Sequence, residues 1–354
     1  MDIEGKVELA IKPPTLEVLT KEQLRELFET NSSPGHYIGL EISGLLHLGS
    51  LVVTGFKLRD LKEADVRVTV YLADWHSVIN RKLGGDWNRI RKAAEYYAEA
   101  FKTFVPGVKT VLGSDLYREN DEYWKRVLEF STHVSLARAT RTLTIMGRSA
   151  RENLDIAQFF YPSMQSVDIH ELKADIAHAG IDQRKVHVLA REVYPKLGWV
   201  PPVALHHELL LGLSEPVRSG IDEDEREDLV VSSKMSKSHP ESSIFIHDTP
   251  EQVASKIRKA WCPEGVVQLN PILQYVRLLV FHEKDEMIVE RPRKFGGDIV
   301  FGSYQELEKA YLSKQLHPVD LKSAVAKEID SIIAPLRQKF SNTYDKISEL
   351  MSSA

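Results

Sequence analysis

Apolar and polar positions along this chain follow two periods, one suited to strands and one to helices. His36 to Ile42 is a short apolar run that reads as a buried strand, and Ser43-Gly44 breaks it. His47-Leu-Gly-Ser50 then opens an amphipathic segment reaching about Ala64. Val66 to Ala73 is a β-branched strand ending in Asp74-Trp75-His76. Asp86 caps a helix to about Phe104 with Ile90, Ala94, Tyr97 and Phe101 on one face, and Lys109 to Leu112 is a third strand stopped by Gly113-Ser114-Asp115. Ahead of these, residues 1–19 read as an irregular arm. Thr20-Lys-Glu-Gln23 is a capping box for a helix striped by Leu24, Leu27 and Phe28, and residues 31–35 are a loop.

Downstream, Asp121 to about Ala150 reads as helical, with Arg138, Arg141, Arg148 and Arg151 in its second half. A solvated face is the default for such charges, with an RNA-facing edge as the alternative. Phe159-Phe160-Tyr161-Pro162 precedes a helix over Ser163 to Leu172, then a strand over Ala174 to Ala179. Gly180 to Lys185 turns into a helix ending near Tyr194, and Gly198 to His207 carries the last strand. The acidic run Ile221 to Asp228 reads as a solvated loop. Beyond Thr249-Pro-Glu-Gln252, a second capping box with Pro250 at the first helical position, helical patterns dominate, including Pro318 to about Phe340. Strands alternating with helices predict an α/β fold with a parallel, doubly wound sheet, whose ligands sit beyond the carboxyl ends of the strands. Asp74, His76 and Asp115 stand at such ends, where capping and ligand contact are equally good readings. The expected boundary near Asp248 divides a larger domain, 1–247, from a mainly α-helical one, 248–354.

Composition narrows this picture. At 354 residues, 43% hydrophobic and 27% charged, the chain is that of an ordinary soluble protein. Its 46 basic against 51 acidic residues (net −5) argue against indiscriminate nucleic-acid binding but leave room for a local basic face. No apolar run approaches membrane-spanning length, and the first twenty residues lack the apolar core of a signal peptide. The single cysteine, Cys262, rules out an intramolecular disulfide or a cysteine-cluster metal site, so a cytoplasmic location is expected.

Strand, tight turn and glycine near a helix start offer free backbone N–H groups to a phosphate. Lys234-Met-Ser-Lys-Ser238, flanked by further serines, suits a loop that closes over anions. The two stretches resemble the paired signatures of class I aminoacyl-tRNA synthetases, HIGH (here His47 to Ser50) and KMSKS (a full match). Tyr37-Ile-Gly-Leu-Glu41-Ile-Ser-Gly44 resembles the Y-x-G-x-E-P-S-G of tyrosyl-tRNA synthetases of the archaeal and eukaryotic type. Tyr161 to Asp168 resembles their Y-P-x-M-Q-x-x-D, and Gly180 to Gln183 their G-x-(D/E)-Q turn. Phe295-Gly-Gly-Asp298 and His317-Pro-Val-Asp320 resemble their anticodon-domain motifs. The resemblance runs from about residue 20 to 340.

On a helix, Tyr161, Gln165 and Asp168 share one face. The resemblance gives Asp168 and Tyr37 to the phenolic hydroxyl of L-tyrosine, and Tyr161, Gln165 and Gln183 to its α-amino end. It puts His47, Gly49, Ser50, Lys234 and Lys237 on the phosphates of ATP, which would bring its own Mg2+, and Gly180 and Asp182 on the ribose. It assigns Phe295, His317, Asp320, Arg141, Arg184 and Lys185 to tRNA(Tyr), and implies a Rossmann-like catalytic domain, an anticodon-binding domain and a homodimer. The implied reaction is formation of tyrosyl-adenylate and transfer of tyrosine to the tRNA 3′ end. Four features depart from the family pattern: Ser50 at the last HIGH position, Ile42 for proline, His239-Pro240 after the lysine loop, and Tyr71 and Tyr117 at pocket-lining positions. Three rivals remain: the same chemistry on tryptophan, a non-catalytic RNA- or partner-binding paralogue, and a small-molecule adenylyltransferase. The last leaves the C-terminal helices unexplained.

Overall fold

A computed structural model describes residues 1–147, 154–220 and 224–352; Arg148, Arg151 and the first three positions of the acidic run lie outside them. Six strands, β1 (Thr15–Leu19), β2 (His36–Leu40), β3 (Thr69–Leu72), β4 (Lys109–Leu112), β5 (Ile176–Gly180) and β6 (Val203–His207), form one sheet in the order β1-β6-β5-β2-β3-β4. β2 to β6 run parallel, and β1 pairs antiparallel with β6. The chain winds from β2 through β3 to β4, returns to β5 beside β2, and winds the other way to β6. The reversal therefore falls between β2 and β5, and a crevice opens beyond their carboxyl ends. Tyr37 and the glycine turn belong to β2, Gly180 and Asp182 to the end of β5.

Most elements follow the expected pattern. Asp86 caps the helix Trp87–Phe104 by accepting from the N–H groups of Asn88 (2.8 Å) and Arg89 (3.1 Å). Ile90, Ala94, Tyr97 and Phe101 are all buried under the sheet. Each large side chain of this stripe contributes roughly 1.5–3 kcal/mol of burial. The helices Pro250–Lys259 and Pro318–Phe340 begin at the expected prolines.

Four expectations are corrected. Residues 1–19 are not an irregular arm but a helix, Ile3–Ile11, followed by edge strand β1. The helix ends on Lys57, wholly buried, whose ammonium donates to the carbonyls of Leu9 (2.8 Å), Ala10 (3.3 Å) and Lys12 (2.8 Å) and pairs with Asp60 at 2.9 Å. A cation from far along the chain thus satisfies carbonyls that a helix end leaves open. The signature helix is not amphipathic: Thr54 to Leu58, Asp60 and Leu61 are all buried, because the N-terminal helix Ile3–Ile11 packs over a face that would otherwise meet solvent. The helix expected from Ser163 starts at Ile156 and takes Pro162 inside it, its first turn fixed by Asp155 N–H donating to Gln158 Oε1 (3.0 Å). The end of the acidic run is helical, Glu225–Ser233. Asp228 is buried there, accepting from Gly220 N–H (3.0 Å) and Ser232 Oγ (3.1 Å).

A small hairpin, β7 (Met287–Val289) with β8 (Ile299–Phe301), also interrupts the C-terminal helices. Apolar packing continues across Asp248: the Tyr96 ring lies 5.5 Å from His247 and 5.3 Å from Phe340. Asp74 is buried at a helix start and accepts from the N–H of Ser114 (3.0 Å) and of Trp75 (2.9 Å), so it ties the ends of β3 and β4 together. Asp115 is exposed and paired with Arg118 at 3.0 Å.

Candidate active site

The glycine turn after β2 is held from two sides. Tyr97 Oη donates to the Gly44 carbonyl (2.9 Å) and accepts from Ser43 N–H (3.3 Å), while Tyr96 Oη accepts from Leu46 N–H (3.2 Å). Gly44, at φ +137°, has the stem of Lys237 across it, with Cδ 3.3 Å from where a Cβ would stand. His47 then caps a wide helical turn, Leu48–Val53, that runs into the helix Thr54–Glu63. The cap is reciprocal. Ser50 N–H donates to His47 Nδ1 (3.3 Å), and His47 N–H to Ser50 Oγ (3.0 Å). Because Nδ1 accepts, the neutral ring carries its proton on Nε2, a donor. Burial, with Lys237 and Lys234 nearby, holds the imidazole well below its usual pKa. Ser50, placed on the phosphates by resemblance, spends its hydroxyl inside this cap, which is what the departure from histidine does here.

The two signature lysines lie on opposite flanks of the turn. Lys234 Nζ meets Asp182 Oδ2 at 2.6 Å. Burial pushes the Asp182 carboxyl up, but the ammonium outweighs it and holds the carboxyl below its ordinary value. Lys237 Nζ donates to Ser43 Oγ (3.0 Å) and to Tyr97 Oη. Asp182 leans over Gly180, where an added Cβ would stand 2.6 Å from Oδ1 and 2.8 Å from Leu209 Cδ2, so glycine is what lets the carboxylate close over the end of β5.

On the other side of β2 the expected helical face forms. Tyr161, Gln165 and Asp168 are all buried on the helix Ile156–Glu171. Tyr161 Oη donates to Glu41 Oε1 (2.8 Å), which also accepts from Asn80 Nδ2 (2.8 Å). Gln165 Nε2 donates to Gln183 Oε1 (3.4 Å), and Gln183 Nε2 to the Ile145 carbonyl (2.8 Å). Asp168 Oδ1 accepts from Tyr117 Oη and Tyr123 Oη, both at 2.9 Å, and Tyr117 Oη bonds in turn to Tyr71 Oη.

Asp168 Oδ2, Gln165 Oε1 and both ring nitrogens of His76 are buried with no partner. His76 Nε2 stands 3.6 Å from Asp168 Oδ2, too far for a hydrogen bond, so both atoms remain open to a third group. Burial raises the Asp168 carboxyl to about 8 against the phenols that pull it down, and lowers His76 to about 3. Among the described residues Tyr37 Oη has no hydrogen bond either. It lies 2.2 Å from the position a Gly39 Cβ would take, so Gly39 is what admits it. Buried polar atoms left open together mark a polar ligand's seat.

The residues expected at tRNA divide. Phe295 is 60% exposed on a turn followed by Gly296 and Gly297, both at positive φ. Arg291 ties this turn to the one before His317, donating from Nε to the Gly297 carbonyl (2.9 Å) and from Nη1 to the Gln315 carbonyl (3.1 Å). His317 caps the helix Pro318–Phe340 through Nδ1, and Asp320 stands in its first turn. The turn carrying Phe295 is therefore tied to the segment leading into the helix start that carries His317 and Asp320. Arg184 is held by Glu17 of β1 (2.9 and 3.0 Å), Lys185 follows it on the same helix, and Arg141 is exposed on the helix Leu136–Thr142.

Sequence reasoning missed Tyr97, read only as part of an apolar stripe, and Tyr123. It left His76 between two readings. Tyr71 and Tyr117 were marked only as departures.

Comparison with known proteins gives the family. Residues 29–334 match the family model of class I tRNA synthetases (W and Y). The chain is 44% identical over 372 aligned positions to the tyrosine-tRNA ligase of Thermococcus sibiricus, covering 100% of this chain and 99% of that one. Tyrosyl-tRNA synthetase from Pyrococcus horikoshii, solved with L-tyrosine, superposes with a TM-score of 0.92 at 43% identity over the whole of both chains. The enzyme from Archaeoglobus fulgidus, also solved with L-tyrosine, gives 0.84 at 39% identity, covering 96% of this chain and 99% of that one. The chain belongs to the class I tRNA synthetases and, within them, to the tyrosine-tRNA ligases.

Proposed function

We propose that this protein activates L-tyrosine with ATP to tyrosyl-adenylate, releasing pyrophosphate, and transfers the tyrosine to the 3′ end of tRNA(Tyr). The observation that carries the reading is the buried, open Asp168 Oδ2, with the Tyr37 hydroxyl near enough to feel the carboxylate's charge and itself without a hydrogen bond among the described residues. A phenol seated there donates to the carboxylate and accepts from Tyr37. Phenylalanine leaves both unpaired, which is costly when they are buried. An indole brings an N–H but no hydroxyl to accept from Tyr37. Tyr161, Gln165 and Gln183 line the route to the α-amino end, and the open Gln165 Oε1 is an acceptor for an ammonium.

The carboxylate of bound tyrosine attacks the α-phosphorus and pyrophosphate leaves, so the side chains have only to position and to stabilise charge. His47 Nε2, the Gly49 backbone, Lys234 and Lys237 serve the phosphates, and Asp182 over Gly180 serves the ribose. Magnesium enters as part of the MgATP substrate.

Residues 248–354 are read as the anticodon-binding domain, in which Phe295 and His317 offer faces for a splayed base and Asp320 an acceptor for guanine N–H groups. Exposed Leu128, Leu136, Ile156 and Phe160, on the helical insertion between β4 and β5, suit a homodimer interface. Among the described residues no helix is long and apolar enough to cross a membrane, and a cytoplasmic location fits the single cysteine.

Pyrophosphate exchange with tyrosine, tryptophan and phenylalanine tests the reading: only tyrosine should support it. Exchange driven by tryptophan, or by none of the three, would overturn it. In the same assay Asp320→Ala should leave exchange intact while slowing tRNA charging.

A further inference from the structure

The two signatures meet on a short segment that belongs to neither. Ile244-Phe-Ile-His-Asp248 comes shortly after the lysine loop and runs antiparallel beside the His47 turn. Leu48 N–H donates to the Ile244 carbonyl (3.0 Å) and Ile246 N–H to the Leu46 carbonyl (3.1 Å), so the backbone on either side of His47 is paired to it. One residue earlier, Ser243 Oγ donates to the Ser236 carbonyl (2.7 Å), inside the lysine loop.

A pair of side chains adds to this backbone pairing. Tyr96 Oη accepts from Leu46 N–H (3.2 Å) and stands 2.8 Å from His247 Nε2. Both side chains are buried, and among the described residues the imidazole nitrogen is the one acceptor bonded to the tyrosine hydroxyl. A buried hydroxyl without an acceptor is costly, so the Tyr96 O–H points to Nε2 and the neutral ring carries its proton on Nδ1. Burial lowers the imidazole to about 4, which keeps Nε2 an acceptor at neutral pH. With its hydrogen directed at His247, the phenol oxygen turns a lone pair to the N–H of the residue before His47.

What holds His247 comes from the far end of the chain. Its ring is covered by Tyr344, with centroids 4.9 Å apart, and by Phe340, at 5.6 Å. Arg337 Nη1 donates to the carbonyl of the next residue, Asp248, at 2.7 Å. Tyr344 opens the last helix, Tyr344–Ser352, and Arg89 of the helix Trp87–Phe104 donates to its Leu350 carbonyl (2.8 Å). Tyr96 and Tyr97 stand on that same helix Trp87–Phe104. The C-terminal helices therefore brace the turn from the other side of the expected boundary at Asp248.

We propose that Tyr96 and His247 are positioning residues for adenylate formation: the Tyr96 hydroxyl fixes the Leu46 N–H and so the direction of His47, and the helix Tyr344–Ser352 is the strut that keeps His247 against it. This rests on the reading of His47 as a group that serves the phosphates. It gives the C-terminal helices a part in the first step of the reaction, which needs no tRNA. In a site that works by placement, a shift of about 1 Å from a change remote from the chemistry can lower the rate roughly 100-fold.

Pyrophosphate exchange with the full-length protein tests the proposal, with Tm and the L-tyrosine KM measured beside the saturated rate. Tyr96→Phe keeps the ring and removes the hydroxyl. The saturated rate should fall about tenfold, the equivalent of one net hydrogen bond, with the L-tyrosine KM unchanged. His247→Leu should give a loss of the same size, and the two substitutions together no more than either alone, because they break one bond. His247→Gln, whose amide oxygen can accept from Tyr96, should recover most of the rate. Tyr344→Ala should lower it by less than Tyr96→Phe does. A purely structural role gives a different pattern: a lowered Tm in each variant, with the saturated rate kept or the L-tyrosine KM raised by as much as the rate falls. Either result overturns the proposal, as do additive losses in the double variant or no rescue by glutamine. His47→Ala separates the two ideas. If it abolishes exchange while Tyr96→Phe does not slow it, only the positioning role fails. If His47→Ala is as fast as wild type, the phosphate reading of His47 fails and the proposal with it.

Discussion

The two ends of the crevice solve different problems with different physics. At the amino-acid end, Asp168 sits among Tyr71, Tyr117 and Tyr123, with no cation pairing with it among the described residues, and its charge is suppressed by burial. Every group there is fixed by the sheet or a buried helix before a ligand arrives. At the nucleotide end the working groups are ammonium ions carried on a loop, and each already has a partner: Lys234 has Asp182, and Lys237 has Ser43 and Tyr97. Selecting a phenol needs neutral hydrogen bonds of fixed length in a dry pocket. Stabilising a pentavalent phosphate needs charge that arrives with the nucleotide. The Lys234–Asp182 pair is largely buried, so its ammonium cannot be left without an anion, but a phosphate can take the place of the carboxylate and keep the charge paired.

The largest expected effect lies at the charged end. Lys237→Ala should lower the rate of adenylate formation at saturating substrates by about 100-fold or more, the usual consequence of removing one donor from developing charge. Tyrosine affinity should not change. If ATP binding weakens and the saturated rate survives, Lys237 acts on the ground state and the contrast between the two ends collapses.

Next comes the neutral end. Asp168→Ala should narrow the preference for tyrosine over phenylalanine by roughly 10- to 100-fold, because the polar ligand then loses its acceptor. ATP KM should stay within experimental error. Unchanged discrimination in exchange kinetics would remove Asp168 from the site.

What was legible in the sequence follows the same division. The glycine turn, the lysine loop and the Tyr161, Gln165, Asp168 face are local patterns, in which one short stretch contains both the geometry and the chemistry. The N-terminal helix was not legible, because its end is satisfied by Lys57, more than forty residues away. The Tyr71–Tyr117–Asp168 chain joins residues from a strand and two separate helices, and periodicity says nothing about such pairings. Ser50 shows the reverse case: the residue was visible, but its part in the cap appears only once His47 has a conformation.

A smaller effect should come from Gly39. Its Cβ would fall 2.2 Å from the Tyr37 hydroxyl and 2.9 Å from Cζ. Gly39→Ala therefore has to push the Tyr37 ring aside, an overpacking of the kind that costs about 1–3 kcal/mol. The expected result is a tyrosine KM raised roughly tenfold, with ATP KM unchanged. Equal changes in both constants would mean that the two ends are mechanically coupled and not independent.

The last effect is on stability, and it isolates the neutral end without any ligand. In the folded chain the Asp168 carboxyl is raised to about 8 from an ordinary value of 3.8. Between those limits the folded protein holds a proton that the unfolded chain has released. Raising the pH through that window therefore stabilises the unfolded state relative to the folded one. The contribution is fully present below the unfolded value, is lost progressively as pH rises, and is gone once pH exceeds the folded value. Asp168→Asn keeps the shape of the side chain and cannot titrate. The wild-type Tm should consequently fall more steeply than that of the Asn variant between pH 5 and pH 8, and the two curves should run parallel above that range. Bound tyrosine should flatten the wild-type curve, because a phenol donating to Oδ2 stabilises the ionised form that burial alone disfavours. Parallel curves throughout would mean that Asp168 is already ionised in the empty pocket. The three surrounding phenols would then suffice to hold the charge, and the amino-acid end would be electrostatic in the same sense as its neighbour.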